Sequence, residues 1–289
     1  MVKQIDPSVV ARGFQAELRA RIGGLSTPLT LVGFLASGAA PSRTYAEYTR
    51  LGCENVGIRF DLREVERLRL ETAIEDANAD PAVHGIMVYY PVFGLDRDRY
   101  LKDLVDPRKD IEGLTTHWVR KLYRNDRFAD PGQTKPAILP CTPLAILKLL
   151  DAAGCAVAGK NVVVFNRSEV VGRPLARMLA NDGARVASFD LDGVFELDHE
   201  REVESKVTRA QALAAAEIII TGVPSRDFPL LSAREIRAGA VCLNFSTLKN
   251  FADDAVEAAG VFVPRVGPMT VAMALRNTVR LFESSSAGS

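Results

Sequence analysis

A turn in the second half of the sequence combines residue types that could bind the phosphates of a dinucleotide. The apolar run at residues 161–165 predicts a buried strand, and the segment after Pro174 predicts a helix. Backbone N–H groups at the start of a helix that follows a strand favour a pyrophosphate. Because Asn166 stands where the usual fingerprint has a glycine, a plain strand–helix connection is the alternative. The candidate cofactor-binding residues of this turn are Asn166, Arg167, Ser168 and Gly172.

Asp190 follows the next predicted strand, 18 residues after Gly172 and near the usual spacing of about 20. At that place a carboxylate can accept hydrogen bonds from the adenosine ribose hydroxyls, and its charge repels a 2′-phosphate. Residues 191–193 contain no Arg or Lys, so we expect the site to bind NAD rather than NADP. A turn or cap residue is the alternative reading of a single aspartate.

The first half carries an aromatic surface, a hydroxyl and a carboxylate near predicted strand ends. Tyr45 and Thr49 lie one helical turn apart on the same face of a predicted helix. Tyr89 lies near the end of a strand, and Glu112 stands beside the permissive Gly113. Together these groups would suit a flat, nitrogen-rich ligand. Core-packing tyrosines and a solvated loop acid are the alternative.

The composition argues against several classes of partner. The 289 residues contain 36 Lys and Arg against 36 Asp and Glu, so the formal net charge is zero. Nucleic-acid binding and polybasic membrane attachment both call for a basic excess. Residues 1–22 lack the apolar core of a signal peptide, and no run of about 18 apolar residues predicts a transmembrane helix. The four Cys and three His are scattered, so we expect no metal site, no disulfide framework and a cytoplasmic location.

Strand and helix patterns alternate along the chain, which is typical of an α/β fold. The predicted strands are residues 29–36, 58–62, 84–90, 161–165, 184–189, 217–221 and 240–245. The predicted helices are residues 44–56, 64–79, 144–153, 174–182 and 270–282. The third of these helices is expected to have Thr142 as its N-cap and Pro143 as its first residue. Residues 95–130 are expected to form irregular loops, and residues 284–289 a disordered tail.

Five longer motifs follow one another along the chain. They are Gly85-Ile-Met-Val88, Asp106-Pro-Arg-Lys-Asp-Ile-Glu-Gly113, Pro140-Cys-Thr-Pro-Leu144, Asn166-Arg-Ser-Glu-Val-Val-Gly-Arg-Pro174 and Val266-Gly-Pro-Met-Thr-Val-Ala-Met273. In type and order they resemble the methylenetetrahydrofolate dehydrogenase/cyclohydrolase family, over nearly the whole chain. The resemblance implies an N-terminal α/β folate domain at residues 1–143, completed by a C-terminal helix at 270–283. It further implies a Rossmann-like NAD-binding domain at 144–268, a cleft between the two domains and a homodimer.

The resemblance also implies roles for individual residues. Tyr45, Thr49 and Glu112 would be the catalytic positions, with Tyr45 stacking on the aminobenzoyl ring and Glu112 bonding the pterin. Arg167, Ser168 and Gly172 would hold the cofactor phosphates, and Asp190 the ribose. The remaining substrate-side positions are Tyr89, Gly267 and Pro268, and the nicotinamide-side wall is Val223, Pro224 and Thr247.

Departures from the family pattern refine the prediction. Bifunctional members carry Tyr-x-x-x-Lys, with the lysine serving the cyclohydrolase step, whereas Thr49 stands at that position here. The family's glutamine is replaced by Tyr89, its aspartate by Glu112 and its first turn glycine by Asn166. This pattern resembles the monofunctional, NAD-dependent branch known from yeast. It implies oxidation of 5,10-methylenetetrahydrofolate to 5,10-methenyltetrahydrofolate with NAD⁺, with cyclohydrolase activity absent or very weak.

Three other functions remain open at this stage. A bifunctional NADP-dependent dehydrogenase/cyclohydrolase would need a lysine in place of Thr49 and no acid at Asp190. A nucleotide-binding redox sensor would bind NAD without folate turnover, and the retained Tyr45 and Glu112 count against it. An amino-acid or shikimate-type dehydrogenase would need a Lys–Asp pair in the first domain, for which we find no convincing candidate.

Overall fold

The computed structural model describes residues 2–36, 40–191 and 193–286. Within these ranges the strands are β1 (Lys3–Gln4), β2 (Thr30–Leu35), β3 (Arg59–Glu64), β4 (Gly85–Val88), β5 (Asn161–Phe165), β6 (Arg185–Phe189), β7 (Val194–Leu197), β8 (Glu202–Ser205), β9 (Ile218–Thr221), β10 (Val241–Asn244) and β11 (Val261–Val263). The helices are α1 (Pro7–Gly23), α2 (Ala40–Val56), α3 (Leu70–Ala79), α4 (Leu95–Leu104), α5 (Thr116–Tyr123), α6 (Cys141–Ala152), α7 (Gly172–Asn181), α8 (Arg209–Ala215), α9 (Asp253–Ala258) and α10 (Gly267–Ser286). These elements form two compact units, each discontinuous in sequence.

The first unit, which we call the tyrosine unit, comprises Ala11–Cys141 and Thr270–Ser289. Its sheet is parallel, in the order β3-β2-β4, and the central β2 is almost wholly apolar and buried. On one side of this sheet a core cluster includes Phe34 and Ile74 from β2 and α3. The fit between α2 and α10 is close, because a Cβ atom at Gly52 would lie 2.4 Å from the Val271 side chain. Parallel strands covered by helices produce the continuous apolar runs seen in the sequence.

The second unit, which we call the turn unit, comprises Met1–Val10 and Thr142–Met269. Its sheet has eight strands in the order β1-β11-β10-β9-β5-β6-β7-β8. The first six strands in this order, which end with β6, are parallel to one another. Strands β7 and β8 then extend the sheet as an antiparallel hairpin. Helix α7 connects β5 to the parallel strand β6, which forms a βαβ unit of a Rossmann-like fold. The chain is therefore a two-domain α/β protein.

Several predicted boundaries are wrong for identifiable reasons. Residues 95–130 are not wholly irregular, because they contain α4 and α5. The predicted helix at 64–79 is divided, since β3 continues to Glu64 and a 3₁₀ turn at Arg67–Arg69 precedes α3. These segments are strongly charged, so their polar faces hide the apolar periodicity on which the prediction rests.

The ends of two other helices also differ from prediction. Helix α6 begins at Cys141, which places Thr142 and Pro143 inside its first turn rather than at the N-cap and first position. Residues 284–286 of the predicted tail are helical and complete α10, while 287–289 lie outside the described residues. Gly57 after α2 and Gly183 after α7 both have positive φ, at 88° and 87°, the conformation in which glycine commonly ends a helix.

Among the residues that the structure describes, no helix has both the length and the apolar character needed to cross a bilayer.

Candidate functional site

The turn after β5 is closed so tightly that only glycine fits at its end. A Cβ atom at Gly172 would lie 2.0 Å from the carbonyl oxygen of Asn166. Asn166 itself joins two strand ends, since its Nδ2 donates to the Gly222 carbonyl after β9 at 2.8 Å. Its Oδ1 accepts from the backbone N–H and the hydroxyl of Ser168, at 2.9 and 2.7 Å. The structure thus brings together three of the predicted cofactor residues, in a tight turn at the start of α7.

A second glycine keeps side chains away from the neighbouring strand end. A Cβ atom at Gly222 would lie 1.9 Å from the ring of Phe245, which follows β10. The Gly222 N–H donates to the Phe165 carbonyl at 3.0 Å, so β5 and β9 stay in register to their ends. The carboxyl ends of β5, β9 and β10 therefore form a compact edge at which backbone can approach a ligand.

Asp190 stands at this same edge. It follows β6 directly, and β6 pairs with β5 up to Phe189 opposite Phe165, so the next residues, Asp190 and Asn166, are neighbours in the register. Its side chain is exposed, and its Oδ1 accepts the backbone N–H of Leu191 at 2.9 Å. The carboxylate is accordingly available to a ribose at the end of the strand.

Arg167 differs from its neighbours in the turn because its side chain is buried. Its Nη2 forms an ion pair with Glu202 Oε1 at 2.8 Å, and its Cζ lies 4.0 Å from the centre of the Phe195 ring. Only 5% of the side chain is exposed. The guanidinium is therefore engaged with the β7–β8 hairpin.

The predicted nicotinamide-side residues form a loop held by groups that the sequence did not single out. Asn250 is fully buried; its Oδ1 accepts from the Val223 N–H and its Nδ2 donates to the Val223 carbonyl, both at 3.0 Å. The Ser246 hydroxyl donates to the same carbonyl at 3.0 Å. Pro224 and Thr247 are exposed beside this loop. Asn250 lies 27 residues from Val223 and bonds its backbone, so the contact leaves no periodic pattern in the sequence that could have revealed it.

In the tyrosine unit, Tyr45 and Tyr89 form an edge-to-face aromatic pair. Their ring centroids are 5.5 Å apart and the planes cross at 86°. Burial raises the pKa of both phenols above the ordinary value. Both rings therefore stay uncharged at neutral pH, and one face of α2 presents an apolar surface at the end of β4.

Thr49 lies on the same helix but its hydroxyl is directed to the backbone. Its Oγ1 donates to the Tyr45 carbonyl at 2.9 Å and lies 3.9 Å from the sulfur of Met87. The residue is completely buried. Its one proton is thus used within α2, and the side chain has no accessible ionisation near neutrality.

Glu112 is held at the end of β4 by a backbone donor. The Val88 N–H donates to its Oε2 at 3.2 Å. Burial, followed by the nearby negative charge of Asp110, raises the pKa of Glu112 to about 8. The carboxyl group is therefore mostly protonated at neutral pH, able both to donate and to accept hydrogen bonds.

The loop carrying Glu112 is fixed by a buried carboxylate. Asp110 accepts the backbone N–H groups of Glu112, Gly113 and Thr115 at 3.0, 2.9 and 2.8 Å. Gly113 has φ of 65°, and a Cβ atom there would lie 2.9 Å from the carbonyl carbon of Leu139. The loop therefore depends on this glycine both for conformation and for space.

Two residues missed at the sequence level anchor the loop from elsewhere in the unit. Asn277 on α10 donates through Nδ2 to the carbonyls of Ile111 and Leu139, at 2.8 and 3.0 Å. The Cys141 thiol donates to the same Ile111 carbonyl at 3.2 Å. Their partners are backbone atoms, which carry no side-chain signature in the sequence.

The remaining predicted substrate-side residues, Gly267 and Pro268, form the first turn of α10 and are half-buried. A Cβ atom at Gly267 would meet nothing within 4 Å. Among the described residues no group of His, Cys, Asp and Glu could hold a metal ion.

Two family models match the chain, one in its N-terminal part and one in its C-terminal part. The family model "tetrahydrofolate dehydrogenase/cyclohydrolase, catalytic domain" matches residues 5–112, and its "NAD(P)-binding domain" matches residues 140–286. The methylenetetrahydrofolate dehydrogenase [NAD(+)] of Schizosaccharomyces pombe is 41% identical over 297 residues, covering 96% of this chain and 92% of that protein. The enzyme of the same name from Dictyostelium discoideum is also 41% identical over 297 residues, with coverages of 97% and 94%. The solved structure of the NAD-dependent 5,10-methylenetetrahydrofolate dehydrogenase from Saccharomyces cerevisiae has a TM-score of 0.92 and 38% identity, covering 99% of this chain and 98% of that one.

Proposed function

Since the chain belongs to the tetrahydrofolate dehydrogenase/cyclohydrolase family, we propose that it oxidises 5,10-methylenetetrahydrofolate to 5,10-methenyltetrahydrofolate with NAD⁺. The observation that carries this proposal is the similarity, over nearly the whole chain, to enzymes named as NAD-dependent methylenetetrahydrofolate dehydrogenases. The exposed Asp190 at the end of β6 supports the choice of an unphosphorylated ribose.

The chemistry asks little of acid–base groups. The substrate's methylene carbon lies between two nitrogens, whose lone pairs stabilise the cation left when a hydride departs. NAD⁺, when bound, supplies the hydride acceptor. The protein's contribution is then to orient substrate and exclude water, which lowers the barrier through positioning.

Substrate orientation falls to the tyrosine unit. Tyr45, in edge-to-face contact with Tyr89, offers a ring on which the aminobenzoyl group can stack. Glu112, largely protonated, can donate to a pterin acceptor and accept from its amino and ring N–H groups. Gly267 and Pro268, which belong to the turn unit, stay predicted substrate-side residues.

Cofactor orientation falls to the turn unit. The turn that contains Asn166, Ser168 and Gly172 would place a pyrophosphate at the N-terminus of α7, where the helix dipole favours a negative charge. Asp190 would accept from the ribose hydroxyls. The wall beside the nicotinamide would be Val223, Pro224 and Thr247, held by Asn250.

Cyclohydrolase activity is expected to be absent or very weak. Hydrolysis of the methenyl product needs an activated water and a group that exchanges protons near neutrality. Thr49 has no such pKa, and its hydroxyl proton is committed to the Tyr45 carbonyl. The check is the loss of methenyltetrahydrofolate absorbance in the presence of enzyme. A rate clearly above that of buffer alone would refute this part of the proposal.

Steady-state kinetics with both dinucleotides tests the main proposal. NAD⁺ should give the higher kcat/KM for formation of the methenyl product, and Asp190→Ser should narrow that preference. Equal or better turnover with NADP⁺ would contradict the role of Asp190, and no turnover with either would contradict the activity.

We also propose a cytoplasmic homodimer assembled through the turn unit. The four cysteines are unpaired, which suits a reducing compartment. Strand β8 ends the eight-stranded sheet with Val203 43% exposed, an edge that a second copy could cover. Light scattering coupled to size-exclusion chromatography should give twice the chain mass, and a monomer mass would contradict the dimer.

A further inference from the structure

Two guanidinium groups and one carboxylate form a cluster on the α7 face of the turn unit. Glu202 on β8 accepts from Arg167 Nη2 through Oε1 at 2.8 Å and from Arg177 Nη2 through Oε2 at 3.2 Å. The arginine side chains are 5% and 10% exposed, and that of Glu202 is 28% exposed. The ion pairs hold the pKa of Glu202 below its ordinary value against the opposing effect of burial. One carboxylate therefore restrains two buried cations.

The register of the strands shows where this cluster lies relative to the cofactor edge. Phe195 pairs with Ser188, two residues before Asp190, and Glu202 pairs with Leu197, which pairs with Val186. At the usual rise of a strand, the Phe195 ring is about 7 Å back from the edge, and Glu202 about twice as far. The backbone of Arg167 lies at the edge itself, directly after Asn166, whereas its guanidinium lies over the Phe195 ring.

The position of the Arg167 backbone would suit a different role. An arginine close to the acidic residue that follows the second strand is the group that accommodates a 2′-phosphate in dinucleotide sites. Arg167 Nη1 is buried and has no hydrogen-bond partner among the described residues. The guanidinium thus retains a donor that a phosphate oxygen could satisfy.

We propose that Glu202 is a determinant of cofactor choice, because it holds Arg167 back against Phe195 and leaves Asp190 as the charge that a 2′-substituent meets. The inference rests on the proposed NAD-dependent function and deepens it. Two effects then exclude NADP. Asp190 repels the 2′-phosphate, and Glu202 keeps the Arg167 guanidinium away from the place where its positive charge would offset that repulsion. Glu202 itself touches no cofactor atom; it acts through the position of Arg167.

The test is Glu202→Gln, which keeps the shape of the side chain and removes its charge. The ratio of kcat/KM for NADP⁺ to kcat/KM for NAD⁺ should rise by about tenfold or more, the equivalent of one charge-assisted hydrogen bond. Glu202→Ala should raise it further, since alanine leaves Arg167 no acceptor at all. Adding Arg167→Leu to Glu202→Gln should return the ratio to the wild-type value.

Matched controls separate this effect from a loss of stability. Arg177→Gln breaks the other half of the same cluster but leaves the Arg167–Glu202 pair, and Glu204→Gln removes a carboxylate two residues along the same strand. Both should leave the ratio within about twofold of wild type. Should Glu202→Ala fail to fold, the milder Glu202→Gln still decides the matter, with circular dichroism as the check on folding.

A folate-free measurement keeps the inference apart from the proposed activity. Calorimetric titration with AMP and with adenosine 2′,5′-bisphosphate reports the 2′-phosphate contribution without any turnover. In Glu202→Gln the bisphosphate should bind more tightly than in the wild-type protein, while AMP binding changes little. The role of Glu202 would be overturned by a folded Glu202→Gln protein in which neither the kcat/KM ratio nor the affinity for the bisphosphate relative to AMP differs from wild type. This holds even if the wild type oxidises the folate as proposed.

Discussion

The protein contains two charged clusters built in opposite ways. In the tyrosine unit, the half-buried carboxyl of Glu112 lies near the buried Asp110, and the pKa of Glu112 rises to about 8. In the turn unit, Glu202 lies between two guanidinium groups and its pKa is lowered. The first arrangement produces a neutral hydrogen-bonding group, and the second a fixed ion pair. Burial raises the pKa of both carboxyls, and only at Glu202 do neighbouring cations reverse its effect.

The largest effect is expected at Glu112. Replacing it with alanine removes the proposed pterin contact and leaves the Val88 N–H without its acceptor, so kcat/KM for the folate should fall about 100-fold. Glu112→Gln, which mimics the protonated carboxyl, should lose far less. If the glutamine variant were as inactive as the alanine variant, the ionised carboxylate rather than the neutral one would be the working form.

The turn of the other unit should be most sensitive to added volume. Gly172→Ala places a methyl group within 2.0 Å of a backbone oxygen, so the turn must open at a cost of about 3 kcal/mol in the free energy of unfolding. Gly13→Ala, in α1 with nothing within 4 Å of its Cβ, is the matched control and should be neutral or stabilising by up to about 1 kcal/mol. Urea denaturation measures both, and equal effects would contradict the steric argument.

The pH dependence of stability should distinguish the two clusters directly. The pKa of Glu112 is raised from 4.5 in an unfolded chain to about 8 in the fold, so its contribution to stability is complete below pH 4.5. That contribution is lost as pH rises through 8, because the unfolded chain releases the proton more readily. Relative to wild type, Glu112→Gln should therefore gain about 1–3 kcal/mol between pH 5 and pH 8. A difference that stays constant over this range would contradict the raised pKa.

Glu202 should give a smaller effect of opposite sign. Because the pKa of Glu202 is lowered from 4.5, its stabilising contribution is present above pH 4.5 and is lost as pH falls below that value. The stability difference between wild type and Glu202→Gln should thus shrink on acidification, whereas the Glu112 difference changes on the alkaline side. Chemical denaturation at pH 3, 4 and 6 would show it, and the absence of any narrowing would indicate a carboxylate without ion-pair stabilisation.

The parts of the fold that were predictable are those with dense apolar signals. Strands such as β5 and β9 are buried on both faces, so the sequence marks them with uninterrupted apolar runs. The β7–β8 hairpin was missed because it is an edge element, with β8 reading Glu-Val-Glu-Ser and largely exposed. Its importance to the site comes from pairing with β6, a non-local contact that local pattern does not encode.

The candidate site divides along the same line. Asn166, Ser168 and Gly172 were predictable as a group because a strand–turn–helix segment brings them together locally. The burial of Arg167 was not, since it depends on Glu202, whose place is set by two successive antiparallel pairings. Likewise Asn250, Asn277 and Cys141 act on backbone atoms far away in sequence, so residue type alone gave no reason to choose them.

Because Asn277 lies near the end of the chain, the Glu112 loop that it anchors can be completed only late in synthesis. The Asn277 bond to the Ile111 carbonyl spans 166 residues, and the loop it anchors carries Glu112. A ribosome will have made α2, β4 and the Glu112 loop long before α10 emerges, so the loop lacks this anchor for most of translation. The tyrosine unit can collapse early, but its carboxyl group reaches its final setting only after the whole turn unit has been synthesised.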